Sequence, residues 1–311
     1  MNKNILKKYG TLIALLIVVI GFSILKPQAF PTFANFINIS RQISLLTIIS
    51  IGATIAMVVA EFDLSIGAVA SFGGVIAAGL AVQGMHAGLV FLLPLGIAFL
   101  FGLGNGFLIT HFRIYSFIAT LSTGTILGGI TFWYTGGATI FGGIPDNFLW
   151  LGQGKLNFIP VPTLLMIAVV FFFWFIFTWT EFGRRLYAIG GNPIAARLSG
   201  VHVNRDKTFA FGLASLLSAF TGIILASRLS SAHPTAGSGM FLQAYAAVFL
   251  GMTAFKAGIP NVWGTFIGSL LIGVIANGLT MLDVPYFLQD IVTGMIVILA
   301  VILHHIDEWK S

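Results

Sequence analysis

The chain has 311 residues, of which 58% are hydrophobic and only 8% are charged. A soluble domain carries about 25% charged residues, so this composition excludes a water-soluble protein and predicts one that lies in a membrane. The absence of cysteine excludes disulfides, a thiolate nucleophile and thiolate metal ligands. The net charge of +6 is better explained by membrane orientation than by nucleic-acid binding, because most Lys and Arg fall in short loops between apolar runs.

Ten continuous apolar runs follow one another and leave no stretch for a soluble domain, so residues 1–311 are predicted to form a single transmembrane domain. Each run has roughly the 17–25 residues that a helix needs to cross a bilayer, and none alternates as a barrel strand would. We therefore predict an all-α polytopic membrane protein with about ten transmembrane helices. The runs lie at approximately 10–25, 41–60, 64–83, 88–110, 115–134, 161–180, 208–227, 241–256, 262–281 and 287–305.

The first run follows three lysines and ends at Lys26 and Pro27 without a clear small-x-small cleavage site. This pattern favours an uncleaved first span over a signal peptide.

The distribution of Lys and Arg predicts that both termini lie inside. With the N-terminus inside, eleven of these residues fall on the inner side and four on the outer side. The inner set is Lys3, Lys7, Lys8, Arg113, Arg184, Arg185, Arg197, Arg205, Lys207, Lys256 and Lys310, and the outer set is Lys26, Arg41, Lys155 and Arg228.

Two connections are long, residues 135–160 outside and residues 181–207 inside. The inner one holds five cations and the stretch "NPIAARLSG", residues 192–200, which is predicted to form a short helix. Asn192 can cap it, Pro193 suits its first turn, and Gly200 suits its end.

Two breaks interrupt the apolar pattern before runs rich in small residues. "DLSIG" separates spans two and three on the inside, and "AHPTAGSG" separates spans seven and eight on the outside. Ten spans divide into two halves of opposite orientation, which allows an inverted five-plus-five repeat. Glycine-interrupted segments at matching positions of two halves point towards a translocation path.

No enzyme motif is present. The chain has no G-K-[ST] phosphate loop, no H-E-x-x-H and no G-x-S-x-G. "GLGNG" at 102–106 follows an apolar helix rather than a strand, and the six histidines are scattered near predicted helix ends. The chain therefore cannot hydrolyse ATP by itself, and we predict no catalytic residue, no cofactor and no metal site.

Carboxylates and amides inside apolar runs have several readings. Glu61 and Asp63 can lie exposed at the inner end of span two or face a polar channel, and Asp63 can cap the third helix. Asn105 and Asn277 can join two helices or face a polar substrate. The glycines of "GTFIGSLLIGVIANG" are predicted to serve helix packing.

Amides, hydroxyls and aromatic faces within the apolar runs could line a polar path without adding charge. The candidate pathway residues are Phe62, Asp63, Ser65, Gly67, Ser71, Asn105 and Asn277, and Thr120 could contribute a hydroxyl.

Three segments resemble a known family in their order and spacing. They are "EFDLSIGAVASFGGVIAA", "YAIGGNPIAARLSGVHV" and "SSAHPTAGSGMFLQAYAAVFLGMTA". Together they resemble the membrane permeases of bacterial ABC importers for ribose, galactose, xylose and related small sugars, over about residues 37–303. The chain departs from the family where two glycines and an aliphatic residue usually precede "DLS", because it has Ala60, Glu61 and Phe62 there.

The resemblance implies a multi-pass permease of the bacterial cytoplasmic membrane that pairs with a second copy or a paralogue. Two ATPase subunits would dock on the inner face, and a periplasmic or lipid-anchored sugar-binding protein would deliver cargo to the outer face. Its partners would be these proteins and membrane lipid, without nucleic acid. Asp63 would organise the helix break near the path, and Glu61 would be this chain's own variation.

The resemblance also implies that residues 192–200 form the coupling helix that enters a cleft of the ATPase. Ala195, Ala196 and Leu198 are predicted to present its apolar surface, and Arg197 is predicted to pair with an acidic residue. The predicted coupling residues are Asn192, Pro193, Ala195, Ala196, Arg197, Leu198 and Gly200.

Other readings remain open at this point. An ion-driven secondary carrier would need ionisable residues deep in several spans, and almost none are present. A channel or structural membrane protein would give no function to the long cytoplasmic connection 181–207 and its capped helix. An importer of the same architecture could instead carry a nucleoside, a sugar alcohol or a furanose signal molecule.

Overall fold

The computed structural model describes residues 3–255 and 258–305, and the described chain is mostly helical. Thirteen helices occur in these ranges: α1 (Lys3–Leu25), α2 (Phe33–Val58), α3 (Ile66–Val82), α4 (Ala87–His111), α5 (Ser116–Thr135), α6 (Asp146–Gln153), α7 (Val161–Trp179), α8 (Glu181–Gly191), α9 (Pro193–Leu198), α10 (Val203–Leu229), α11 (Met240–Gly251), α12 (Val262–Met281) and α13 (Tyr286–His305). Four two-residue strands accompany them: β1 (Ile140–Phe141), β2 (Lys155–Leu156), β3 (Ile159–Pro160) and β4 (Ser231–Ala232).

Six helices of the described chain are long and apolar enough to cross a membrane, judged by length and composition alone. They are α2, α4, α5, α7, α10 and α12, and three shorter apolar helices lie at Gly10–Leu25, Ile66–Val82 and Met240–Gly251. Every apolar run predicted above overlaps one helix, and α6, α8 and α9 fall within the two long connections. The prediction of a mainly helical polytopic membrane protein is confirmed.

Helix α11 is shorter than the predicted eighth span, which ran from 241 to 256. It has 12 residues, or about 18 Å at 1.5 Å per residue. An about 30 Å hydrocarbon core is longer than this, so α11 alone does not cross it. Gly251 at its end lies against the backbone of Gly264, where α12 begins. The end of the predicted span falls on Lys256, which lies outside the described residues.

Helix α10 is largely buried and packs against α2, α3 and α4. Small residues allow the backbones to approach closely. A Cβ added to Gly222 would lie only 1.8 Å from the carbonyl oxygen of Ala70, and one added to Gly106 would lie 2.4 Å from the Cα of Thr208. The predicted packing role of the α12 glycines holds in the same way, because Gly268 lies against the backbone of Ala247.

The connection between α5 and α7 is folded onto the end of α10. Strand β1 pairs antiparallel with β4, which follows α10, and β2 pairs with β3. The N–H of Gly152 in α6 donates to the Oγ of Ser227 at 2.7 Å, and that hydroxyl in turn donates to the carbonyl of Phe148. This connection therefore covers the end of α10 that carries Arg228.

Candidate functional site

The chain between α2 and α3 is unwound but has its backbone donors satisfied. Ala60 ends α2 with a left-handed backbone, at φ 58°. The N–H groups of residues 62–65 then each donate to a side-chain oxygen, because backbone donors inside an apolar bundle must find internal partners. In chain order the acceptors are Ser116 Oγ, Tyr245 Oη, Thr120 Oγ1 and Asp63 Oδ1, at 3.4, 2.7, 2.9 and 2.9 Å.

Asp63 is fully buried, so the reading that placed it in water is wrong for this residue. Its Oδ1 accepts the backbone N–H of Ser65 at 2.9 Å and also the Ser65 hydroxyl. This arrangement is close to the predicted cap, although the N–H belongs to Ser65, which precedes the first helical residue Ile66. The other carboxylate oxygen, Oδ2, is buried without a hydrogen-bond partner in the described part of the chain.

Glu61 forms an ion pair that the sequence did not reveal. Its Oε1 lies 2.6 Å from the Nζ of Lys207 in α10, and the two side chains are only 20% and 15% exposed. The pair links the α2–α3 break to the end of the 181–207 connection, across 146 residues of chain.

Asn105 joins helices rather than facing open space. Its side-chain amide donates to Ser65 Oγ at 3.4 Å, and its carbonyl oxygen accepts the hydroxyl of Thr123. Asn277 makes no hydrogen bond to this cluster, and its Oδ1 is buried without a partner among the described residues. Phe62 is 42% exposed, and its ring packs against Tyr245 at a centroid distance of 5.4 Å.

The two predicted breaks touch each other. The N–H of Gly237 donates to Ser71 Oγ at 2.9 Å, and a Cβ on Gly67 would lie 2.8 Å from the Gly237 carbonyl oxygen. The topology predicted from the sequence has these segments on opposite membrane faces, which an about 30 Å apolar core would keep apart. At least one segment therefore reaches into the bundle, and residues 233–239 are followed by α11, which has only 12 residues.

The predicted cytoplasmic helix is present as α9. Asn192 Oδ1 accepts the N–H groups of Ile194 and Ala195, both at 3.0 Å. Pro193 is its first residue, and Gly200 follows its end with φ +84°. The three local signals therefore act as the sequence predicted.

The exposed face of α9 differs in part from the prediction. Ala196 is 5% exposed and packs into the main core, so it anchors the helix and cannot meet a partner. Ile194 and Leu198 are 73% and 85% exposed and lie four residues apart. Helical spacing could have revealed this pair, since residues i and i+4 share a face. Arg197 is also exposed and donates to Asn204 Oδ1 at 3.3 Å.

Helices α8 and α10 fix the position of α9. Arg185 Nε of α8 lies 2.7 Å from Asp206 Oδ2 of α10, and Asp206 is buried. Gly190 of α8 packs so closely on the end of α2 that an added Cβ would lie 2.0 Å from the Val58 carbonyl oxygen. Helix α9 is therefore held, through α8, beside the end of α2 and the start of α10.

Within residues 3–255 and 258–305, no group of three or more His, Cys, Asp or Glu side chains is arranged to hold a metal ion.

Comparison with known proteins gives consistent matches over nearly the full chain. Residues 35–301 match the family described as "Branched-chain amino acid transport system / permease component". The ribose import permease protein RbsC of Bacillus subtilis (strain 168) is 41% identical over 99% of this chain and 95% of its own length. The protein of the same name from Escherichia coli (strain K12) is 37% identical over 97% and 95%. The D-allose transport system permease protein AlsC of Escherichia coli (strain K12) is 34% identical over 95% and 91%.

No solved structure matches the chain. The family match and the full-length relatives nevertheless confirm the resemblance recognised from the three sequence segments. The chain belongs to this family of transport-system permease components and is a multi-pass protein of the cytoplasmic membrane.

Proposed function

We propose that the chain is the permease subunit of an ATP-driven importer and forms the membrane path for a small neutral sugar. A substrate-binding protein delivers the sugar to the outer face. The observation that carries this proposal is the full-length similarity to permeases named for ribose and D-allose, both neutral monosaccharides.

Energy for import reaches the permease through α9. The chain has no phosphate loop, so ATP is hydrolysed by two separate ATPase subunits, one for each permease copy in the dimer. Helix α9 has only six residues and is too short to be stable alone, so docking in a partner's cleft supplies burial that it lacks. Ile194 and Leu198 are the apolar side chains that this docking buries.

The path runs beside the two interrupted helices, whose first turns meet in the bundle. Half-helices of this kind frame the substrate sites of many transporters. The α2–α3 break is stabilised by hydrogen bonds that link Asp63, Ser65 and Asn105. It is joined to the second break through Gly67 and Ser71. Phe62 and Asn277 are the remaining pathway candidates. Phe62 has an exposed ring, and the amide oxygen of Asn277 is buried without a hydrogen-bond partner among the described residues.

Ten spans with both termini inside form the proposed topology, and the two halves form an inverted repeat. A reporter that is active only outside the cytoplasm is expected to be active when fused at Trp150 and silent when fused after Lys310, which lies outside the described residues. Activity at 310 or silence at 150 would contradict this topology.

Import is tested by reconstituting the permease with its ATPase and binding protein in liposomes. We expect uptake of labelled D-ribose that requires both ATP inside the liposomes and the binding protein outside them. Uptake driven by an ion gradient without ATP would overturn the proposal in favour of a secondary carrier. Preference for a nucleoside, a sugar alcohol or a furanose signal molecule would keep the importer and change its cargo.

Leu198→Asp is expected to weaken ATPase docking at least tenfold. Burying a leucine side chain contributes about 1.5–3 kcal/mol, and each 1.4 kcal/mol is about tenfold in affinity. The measurement is co-purification of the ATPase with the permease. Leu156→Asp is the matched control, because it makes the same change at a 55% exposed leucine on the β2–β3 hairpin. Equal recovery of ATPase with both variants would remove α9 as the docking element.

A further inference from the structure

A cavity of about 260 Å³ lies between α2, α10, α11, α12 and α13, apart from the α2–α3 break. It sits where α10 ends and α13 begins. Ala236 and Met240 form part of its wall. Residues 233–239, whose Gly237 donates to Ser71 of α3, therefore also border this cavity.

Polar side chains from four helices line this cavity. The side chains of Gln289 and Thr293 are hydrogen-bonded to backbone carbonyls. Four others are Gln42 of α2, Arg228 of α10, Gln243 of α11 and Asp290 of α13. None of the four makes a side-chain hydrogen bond or ion pair within residues 3–255 and 258–305. Gln42, Arg228 and Gln243 are half-buried and Asp290 is exposed, so these side chains are accessible to a ligand that enters the cavity.

The chemistry of the lining selects a neutral polyol. Two amides, a guanidinium and a carboxylate offer both donors and acceptors, which hydroxyl groups can satisfy together. One cation and one anion line the cavity, and the guanidinium of Arg41 lies near that of Arg228. Leu45, Ile272 and Leu279 supply apolar walls against which the C–H face of a sugar ring can pack.

The size of the cavity limits the ligand further. Pockets for drug-sized molecules measure about 300–1,000 Å³. A volume of about 260 Å³ is smaller and suits one monosaccharide rather than an oligosaccharide. Tyr286 also lines the cavity and is 80% exposed, so its ring lies at the entrance.

We propose that this cavity is a monosaccharide-binding site within the permease, in which Gln42, Arg228, Gln243 and Asp290 hydrogen-bond the sugar hydroxyls. This assignment rests on the proposed function as a sugar importer. With both termini inside, the ends of α10 and the start of α13 face outwards, so the site receives the sugar on the outer half of the path. Its wall of residues 233–239 connects it to the α2–α3 break.

Cysteine protection tests this site directly, because the chain has no cysteine of its own. Ala236→Cys and Ala276→Cys, at two wall positions outside the four polar groups, are made singly, and each permease is purified with its ATPase and treated with a small maleimide. Millimolar D-ribose is expected to slow labelling at both positions several-fold. Phe141→Cys, at a 78% exposed position on β1, is the matched control, and its labelling should not change.

The outcomes separate this site from the proposed function. If both cavity cysteines react at the same rate with and without D-ribose while the wild-type complex imports D-ribose, the site is wrong and the importer stands. If the wild-type complex imports no sugar with ATP, the proposed function fails. If D-ribose slowed labelling of Phe141→Cys to the same extent, the sugar would be acting on the reagent or on the whole protein. That result would also overturn the site.

Discussion

Lys207→Glu is expected to abolish ATP-driven sugar import, and the exchange Glu61→Lys with Lys207→Glu is expected to restore most of it. The wild-type pair has its charged atoms 2.6 Å apart and is 15–20% exposed. Removing one member of a buried pair costs about 3–5 kcal/mol, and reversal also brings two carboxylates together. Because Glu61 lies two residues from Asp63, the repulsion acts on the α2–α3 break.

Uptake of labelled D-ribose into proteoliposomes measures this effect, with ATPase co-purification as a check that α9 still docks. Lys155→Glu is the matched control, because Lys155 is an exposed lysine on β2 without an ion pair in the described chain. A single reversal should reduce uptake more than a hundredfold, and the exchange should return it to within about tenfold of wild type. If the exchange is no better than either single reversal, the pair does not link the cytoplasmic connection to the break.

Gly222→Val is expected to prevent the permease from accumulating as a folded protein. The first added carbon would lie 1.8 Å from the Ala70 carbonyl oxygen, which belongs to the backbone of α3 and cannot rotate away. Overpacking of cores costs typically about 1–3 kcal/mol where side chains can adjust, and here only separation of α3 from α10 can relieve the contact. The loss of stability should therefore exceed that range.

The yield of monodisperse protein after detergent extraction, followed by thermal unfolding, measures this loss. Gly96→Val makes the same substitution in α4, where an added Cβ meets nothing within 4 Å. The Gly96 variant should resemble wild type, whereas the Gly222 variant should give little extractable protein. Equal yields would mean that α3 and α10 are not packed as closely as the structure has them.

The sequence alone determined the features that depend on neighbouring residues. A hydrophobic content of 58% and long apolar runs were enough to predict a membrane protein and the positions of its long helices. The start and end of α9 were also predictable, since Asn192, Pro193 and Gly200 act on backbone groups within a few residues. Glycine rows predicted close helix packing because their spacing places them on one helix face.

Only the tertiary structure decided which distant groups meet. Glu61 forms an ion pair with Lys207, which is 146 residues away in the sequence, and Gly237 donates a hydrogen bond to Ser71, which is 166 residues away. It also decided that α9 turns Ala196 inwards and exposes Ile194 and Leu198, which depends on what packs beneath the helix. The cavity that collects Gln42, Arg228, Gln243 and Asp290 has the same origin. Local propensity and hydrophobic periodicity place a residue on a helix, whereas its partners depend on how the helices pack, and that packing is a property of the whole chain.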